Sequence, residues 1–212
     1  MRIIDLNTWS RRDHFKLFNG FDAPHFNMCA NLDITSFYPA LKDQGVSFTV
    51  GFVYLVARVA NEIPEFRLRI HGEQVVEYEV VHPSCTILVD EERFSFCNFK
   101  YFPTLSDFGP HAVEQIASVK QNLILNDETE EDNLLYLSAI PWVSFTSFMH
   151  PMNYSPVDSV PRFAYGKYFQ QGECLLIPLS VQAHHALMDG LHMGRYYQRF
   201  QEYLDTPALL FE

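Results

Sequence analysis

The sequence predicts an α/β fold of the α+β sandwich kind, a mixed, largely antiparallel sheet covered by helices. Two observations carry this. Strand-like and helix-like stretches follow one another without the regular βαβ alternation of a doubly wound sheet, and hairpin signals recur along the chain. At 212 residues the chain, 1–212, is most economically one domain with a substantial core. Nineteen Phe and eleven Tyr are available to fill that core or to line a pocket.

Taken in order, Asn7 or Thr8 is placed to cap a first helix carrying Trp9, His14, Phe15 and Phe18, which Gly20 to Pro24 breaks. Phe26 to Ile34 reads as a strand, and Thr35 or Ser36 caps a short helix ending near Gly45. Val50 to Asn61 is apolar nearly all round, the pattern of a buried helix, and Pro64 stops it. Phe66 to Ile70 and Gln74 to Val80 form a hairpin about His71-Gly72-Glu73. Cys85 to Val89 and Phe94 to Phe99 read as strands, and Ser106 to Leu125 as a helix. Asp127 to Asp132 is an acidic run of the kind usually found in a solvated loop. Leu134 to Ile140 and Trp142 to Phe148 read as strands interrupted at Pro141. Arg162 to Phe169 and Cys174 to Val181 form a last hairpin about Gln171-Gly172, and an amphipathic helix from Leu191 to Leu204 closes the chain.

A net charge of −11 argues against nucleic acid or an anionic membrane as partner. The four cysteines, Cys29, Cys85, Cys97 and Cys174, are scattered, with no C-x-x-C pair to suggest zinc and no density to suggest a disulfide framework. Met1 to Asp5 lacks a signal-peptide hydrophobic core, and no segment approaches the roughly 20 apolar residues of a membrane span. The expectation is a soluble, cytoplasmic protein with reduced thiols. Nucleotide-loop, zincin and G-x-S-x-G patterns are missing from the sequence.

The most informative segment runs from Gln182 to Gly190. His184 and His185 end an apolar run, Leu175 to Val181, which reads as a buried strand. Asp189 and Gly190 follow, and then the closing helix. A histidine at a strand-to-helix junction is well placed to take a proton from a hydroxyl near neutral pH. Taken alone, His185 reads as readily as a satisfied core residue. Asp189 and Gly190 at fixed offsets favour catalysis. Adjacent histidines on a strand point to opposite faces, so no metal is expected here.

His184-His185-x-x-x-Asp189-Gly190 resembles the motif of coenzyme A-dependent acyltransferases. Trp9-Ser10-Arg11-Arg12-Asp13-His14-Phe15, Leu32 to Thr35, Pro64 to Arg67, Ser138 to Phe145, Gly166-Lys167-Tyr168 and Val181 to Ala186 resemble, in order and along nearly the whole chain, the chloramphenicol acetyltransferase family.

The resemblance implies a chloramphenicol acetyltransferase-like fold, a homotrimer with active sites between subunits, and transfer of acetyl from acetyl-CoA, a co-substrate rather than a bound cofactor, to a hydroxyl. Chloramphenicol is the leading acceptor, and antibiotic resistance the consequence. It implies His185 as general base, Ser138 as hydroxyl donor to the oxyanion, and Asp189 paired with Arg11 to fix the active-site loop, with Gly190 letting the chain turn sharply beside the pair. Tyr168 would lie on the adenine of coenzyme A and Lys167 near a phosphate, while His184 would be structural.

The acceptor pocket departs from the family more than the catalytic motif does. Phe18 stands where a tyrosine is common, Asp22 and His150 where apolar residues are, and Ala164 where a threonine is. Asp158 and Leu125 align near pocket aromatics, and Ser47 aligns with a lysine near the coenzyme phosphates. Phe26, Phe94 and Phe148 keep aromatic positions. An Asp and a His in such a pocket suggest a more polar alcohol, since unpaired polar groups are costly to desolvate. Two other readings remain: a core acting on a dihydrolipoamide-like thiol, and a trimeric binding protein without activity.

Overall fold

A computed structural model describes residues 1–122, 132–153, 155–156 and 158–211. Leu125, the end of the helix expected from Ser106, and Asp127 to Glu131 of the acidic run lie outside them.

The chain opens with a short strand β1 (Arg2–Ile3) and helix α1 (Arg12–Phe18), followed by β2 (His25–Asp33), α2 (Phe37–Asp43) and the long buried α3 (Phe48–Glu62). A 3₁₀ turn, Pro64–Arg67, leads into β3 (Leu68–His71) and β4 (Gln74–Glu77), then β5 (His82–Leu88), β6 (Phe94–Asn98) and α4 (Leu105–Gln121). β7 (Leu134–Ile140), β8 (Arg162–Gly166), β9 (Phe169–Gln171), β10 (Cys174–His184) and α5 (Gly190–Asp205) follow, and a 3₁₀ turn, Pro207–Leu210, comes last.

The main sheet runs β2-β10-β8-β7-β5-β6, with β9 also on β10. β10 is antiparallel to β2, β8 and β9, and β5 to β6. β7 is parallel to both its neighbours, β5 and β8. The sheet is thus mixed and largely antiparallel, as the sequence predicts. A small sheet, β1-β4-β3, stands apart from it.

Alternation along β10 divides the main sheet into two faces. Leu179, Val181 and Ala183 join the main core with Val53, Val56 and Ala57 of α3, Phe108 and Ala112 of α4, and Tyr196 and Phe200 of α5. Ser180, Gln182 and His184 point the other way, as period-2 geometry requires. In register with Ser180, the row continues through Ala164 of β8 to Ser138 of β7. The helices lie on the apolar face, and the irregular stretch carrying Phe148 and His150 meets the opposite one, where Phe148 O accepts from Ser180 Oγ at 2.9 Å and Gln182 Oε1 accepts from His150 N–H at 2.8 Å. A smaller core gathers Phe15, Leu68, Ile70, Val75, Ala186 and Leu187, with Trp9 and Phe18 against it. It fastens the segment after His185 to α1 and to the small sheet.

Several sequence expectations need correction. The first helix starts at Arg12, because Asp5 gathers the preceding residues into a turn: its carboxylate accepts from Asn7 N–H at 3.0 Å and its carbonyl from Trp9 N–H at 3.0 Å. Neither Asn7 nor Thr8 caps it.

Trp142 to Phe148 is not a strand. After Pro141 the chain bonds once to the end of β8, Lys167 N–H to Val143 O at 2.9 Å, and crosses over Gly166. A Cβ on Gly166 would stand 2.7 Å from Pro178 Cγ and 2.9 Å from Val143 O, so only glycine leaves room for that crossing.

The hairpin about Gly172, at φ +61, joins β9 to β10. β8 is a separate strand beside β10. Asp132, at the end of the acidic run, is not solvated alone: it accepts from Tyr78 Oη at 2.5 Å and contacts His71 Nε2 at 2.9 Å.

Candidate active site

β10 extends through His184, three residues past the apolar run, because Gln182 and His184 lie on the polar face of a strand still paired with β2. His185 is the first residue beyond it, and its N–H donates to Pro24 O at 2.8 Å. The imidazole stacks on Phe18, ring centroids 3.8 Å apart and 5° from parallel, and Phe26 stands 4.6 Å away. Nδ1 is enclosed with no hydrogen-bond partner among the described residues, which leaves Nε2 open to a substrate.

His184 turns elsewhere. It is buried, its Nδ1 accepts from Ala186 N–H at 3.2 Å, and its ring meets His25 edge-on at 4.9 Å. Burial, and then the neighbouring His25 and His185, push it down to about 3, so it is neutral in the folded protein.

Asp189 ties the segment down. Its Oδ2 accepts from Arg11 Nη1 at 2.7 Å and its Oδ1 from Leu191 N–H at 3.0 Å, so it is both ion-pair partner and N-cap of α5. His192 Nδ1 in turn accepts from Asp189 N–H at 3.1 Å, and His192 Nε2 lies 3.3 Å from Glu65 Oε1. Burial raises the Asp189 carboxyl. The Arg11 and Leu191 hydrogen bonds and the charges of His192 and Arg11 outweigh it and hold the group at about 2. The His192 hydrogen bond likewise lowers Glu65. The ion pair is 14% and 28% exposed, which makes it only partly buried. Gly190 is not needed for a sharp turn: its φ is not positive and an added Cβ would meet nothing within 4 Å.

Ser138 and Tyr168 belong to a different part of the chain. Ser138 pairs with Ala164, which pairs with Ser180, so two strands and four residues of β10 separate it from His184, a distance on the order of 15 Å. Ala164 is buried between those two serines. Tyr168, 40% exposed, packs on Tyr38 at 5.3 Å and Phe48 at 6.3 Å. With exposed Lys167 it lies beyond the opposite end of β8, on the order of 25 Å from His184. Ser47 caps α3, its Oγ accepting from Val50 N–H at 3.3 Å.

The structure therefore joins His185, Phe18, Phe26, Arg11 and Asp189 in one group. Ser138, Ala164, Phe94, Phe148 and His150 fall in a second, and Lys167 and Tyr168 continue from the far end of β8. Phe94 meets Phe96 edge-on at 5.6 Å and Phe148 meets His150 at 4.8 Å. Asp22 is exposed near the first group. Asp158 pairs with Arg162 at 2.5 Å in the second. Sequence reasoning missed Phe96, Tyr136, Arg162, His192 and Glu65. The first three lay two positions from Phe94, Ser138 and Ala164, on the same face, and period 2 was the signal that could have found them.

The family model described as "Chloramphenicol acetyltransferase" matches residues 1–201. The chain belongs to the chloramphenicol acetyltransferase family, and so to the acyltransferases. It is 34% identical to a chloramphenicol acetyltransferase of Klebsiella sp over 95% of this chain and 93% of the relative. It is 36% identical to chloramphenicol acetyltransferase 2 of Escherichia coli over 96% of each. A solved chloramphenicol acetyltransferase superposes with TM-score 0.84 at 26% identity, covering 96% of this chain and 99% of that one. The dihydrolipoamide acetyltransferase of Azotobacter vinelandii, at TM-score 0.68 and 18% identity over 94% and 88% of the two chains, shares the fold alone.

Proposed function

We propose that this protein, a single domain over residues 1–212, moves the acetyl group of acetyl-CoA to an alcohol, with chloramphenicol as leading acceptor and antibiotic resistance as the outcome. The observation that carries this is an imidazole pinned between Phe18 and Phe26, with Nε2 open, on a segment locked by the Arg11–Asp189 pair. Family membership and relatives named for that reaction support it.

His185 Nε2 takes the proton of the acceptor hydroxyl as its oxygen attacks the thioester carbonyl. Such general-base help is worth roughly 10²–10⁴ in rate. Ser138 Oγ–H donates to the oxyanion of the tetrahedral intermediate. Collapse breaks the C–S bond, and the imidazolium returns its proton to the coenzyme A thiolate. Acetyl-CoA is a co-substrate, with Tyr168 on its adenine and Lys167 at a phosphate. Phe18, Phe26, Phe94, Phe148, Ala164 and His150 belong to the acceptor pocket.

Separation of Ser138 from His185 within one chain supports a homotrimer whose sites lie between subunits, His185 of one copy facing Ser138 of the next. No helix among the described residues is long and apolar enough to cross a membrane. With the acidic net charge, that supports a cytoplasmic enzyme without membrane or nucleic-acid partners.

The test is thiol release from acetyl-CoA with chloramphenicol, dihydrolipoamide and a panel of other alcohols, wild type against His185→Ala, with mass measured by light scattering. Release with chloramphenicol or another alcohol, lost in His185→Ala at unchanged trimer mass, is expected. Retained turnover in that variant overturns the role of His185, release with dihydrolipoamide alone overturns the choice of acceptor, and monomeric active protein overturns the shared site.

A further inference from the structure

The stretch from Phe18 to Phe26 wraps the imidazole of His185. Phe18 closes α1 and packs against the smaller core, with Phe21 edge-on to it at 5.3 Å and Phe21 N–H donating to Phe18 O at 3.2 Å. Pro24 O accepts from the His185 backbone N–H at 2.8 Å, and Phe26 lies on β2 in register with Ala183. One short segment thus gives a single side chain two aromatic rings and a backbone anchor.

The contact with Phe18 has a defined geometry. The two rings lie 3.8 Å apart and 5° from parallel, so the imidazole meets the face of Phe18 and not its edge. Phe26 is tilted by 38° at 4.6 Å. A benzene ring is negative on its face and positive at its edge. It therefore attracts a cation laid on that face far more than a neutral ring in the same place.

In the reaction proposed above, the acceptor proton moves to His185 Nε2, and the O–H electron pair enters the new bond to the thioester carbonyl carbon. Imidazole becomes imidazolium, and the charge lasts until that proton passes to the coenzyme A thiolate. Among the described residues no carboxylate hydrogen-bonds the ring, and Nδ1 is enclosed with no hydrogen-bond partner. The Asp189 carboxylate accepts from Arg11 at 2.7 Å and from Leu191 N–H at 3.0 Å, and Glu65 faces His192 at 3.3 Å. Asp22 is exposed, where water and salt screen it. His184 is neutral and adds no like charge. The face of Phe18 is what the new charge meets.

We propose that Phe18, assisted by Phe26, stabilises the His185 imidazolium as it forms, so that the stack speeds the chemical step apart from any contact with the acceptor. This rests on the acetyltransferase reading above. Phe18 acts here through His185 and not on the substrate. An attraction that appears only with the charge lowers the transition state and leaves the ground state alone. Shielded from water, such a contact is worth about 30-fold in rate.

The experiment places mono-, di- and trifluorinated phenylalanine at position 18, which keep the shape of the ring and progressively remove the negative potential from its face. The single-turnover rate of acetyl transfer to chloramphenicol, or to whichever alcohol of the panel reacts fastest, is expected to fall about threefold per fluorine with acceptor KM and melting temperature held. The same series at Phe26 should fall less steeply, because that ring is tilted. Phe18→Leu should lose the whole effect, and Phe18→Tyr should keep most of it. A rate independent of fluorine count overturns the proposal. So does a series in which KM rises while the rate holds, which makes Phe18 an acceptor contact alone, or one in which the rate follows melting temperature, which makes it a packing residue. Wild type that releases no thiol with any acceptor, or His185→Ala with full turnover, overturns the acetyltransferase reading or its base and this proposal with it.

Discussion

The two faces of the main sheet are made from alternate residues of the same strands, and they differ in everything but backbone. On one, Leu179, Val181, Ala183, Phe163 and Leu137 are buried against three helices in an almost wholly apolar core. On the other, Ser180 and Gln182 bond Phe148 and His150, Arg162 bonds Asp158, and several enclosed nitrogens have no hydrogen-bond partner among the described residues. The first face closes on itself and supplies stability. The second is left chemically open, and the proposed reaction draws its oxyanion donor and its acceptor pocket from it. The residues proposed to recognise a substrate therefore lie one position away from residues that hold the fold, and a one-residue register slip would exchange them.

The largest effect that would break this division is on catalysis. His185→Ala should lower kcat by roughly 10²–10⁴ with little change in melting temperature, since the ring lies at the edge of the fold. A loss of stability equal to a core truncation would make His185 a packing residue. Next, Phe163→Ala on the closed face should destabilise by about 3–5 kcal/mol, read by urea denaturation, because it removes a fully buried ring. Ser138→Ala on the open face should instead leave urea midpoints in place and lower kcat by about 10²–10³.

Asp189→Asn spans the two roles. It removes the counter-charge of Arg11 while keeping an N-cap, so about 1–3 kcal/mol of stability and a measurable share of kcat should go together. That is less than a fully buried pair would lose, in keeping with its partial exposure. A silent variant in both assays would show that the pair is not what holds the loop.

The smallest effect is on pH dependence. His184 is held neutral far below its ordinary range of about 6.5. The unfolded chain binds the extra proton and the folded one does not, so stability is full above about 6.5 and falls as pH drops from there toward about 3. His184→Gln should flatten the slope of melting temperature against pH between 6.5 and 4. Asp189 acts lower: its contribution is present above the ordinary Asp value near 4 and is lost as pH falls toward about 2.

Apolar periodicity made the closed face legible. The run from Leu175 to Val181, the all-round apolar α3 and the hairpin at Gly72 were visible because their signals are local and repeated. The stretch from Trp142 to Phe148 misled because its composition suits a strand, whereas its course is set by Gly166, two dozen residues downstream. The open face was harder. His185, Asp189 and Arg11 stood out through motif resemblance, yet Arg162 looked like the start of a hairpin strand and His192 like part of a helix face. Their roles come from partners distant in sequence: the Arg162 guanidinium lies over the Tyr136 ring of the neighbouring strand, and His192, beside Asp189, reaches Glu65 on another element. No local pattern encodes those meetings.

The Arg11–Asp189 bond spans 178 positions of the chain. During synthesis the amino-terminal partner leaves the ribosome long before the carboxylate that neutralises it exists, so the loop bearing His185 is set only once Asp189 has been made. A chain that stops short of Asp189 leaves Arg11 without its counter-charge, so the proposed acetyl transfer would report only chains that extend past that residue.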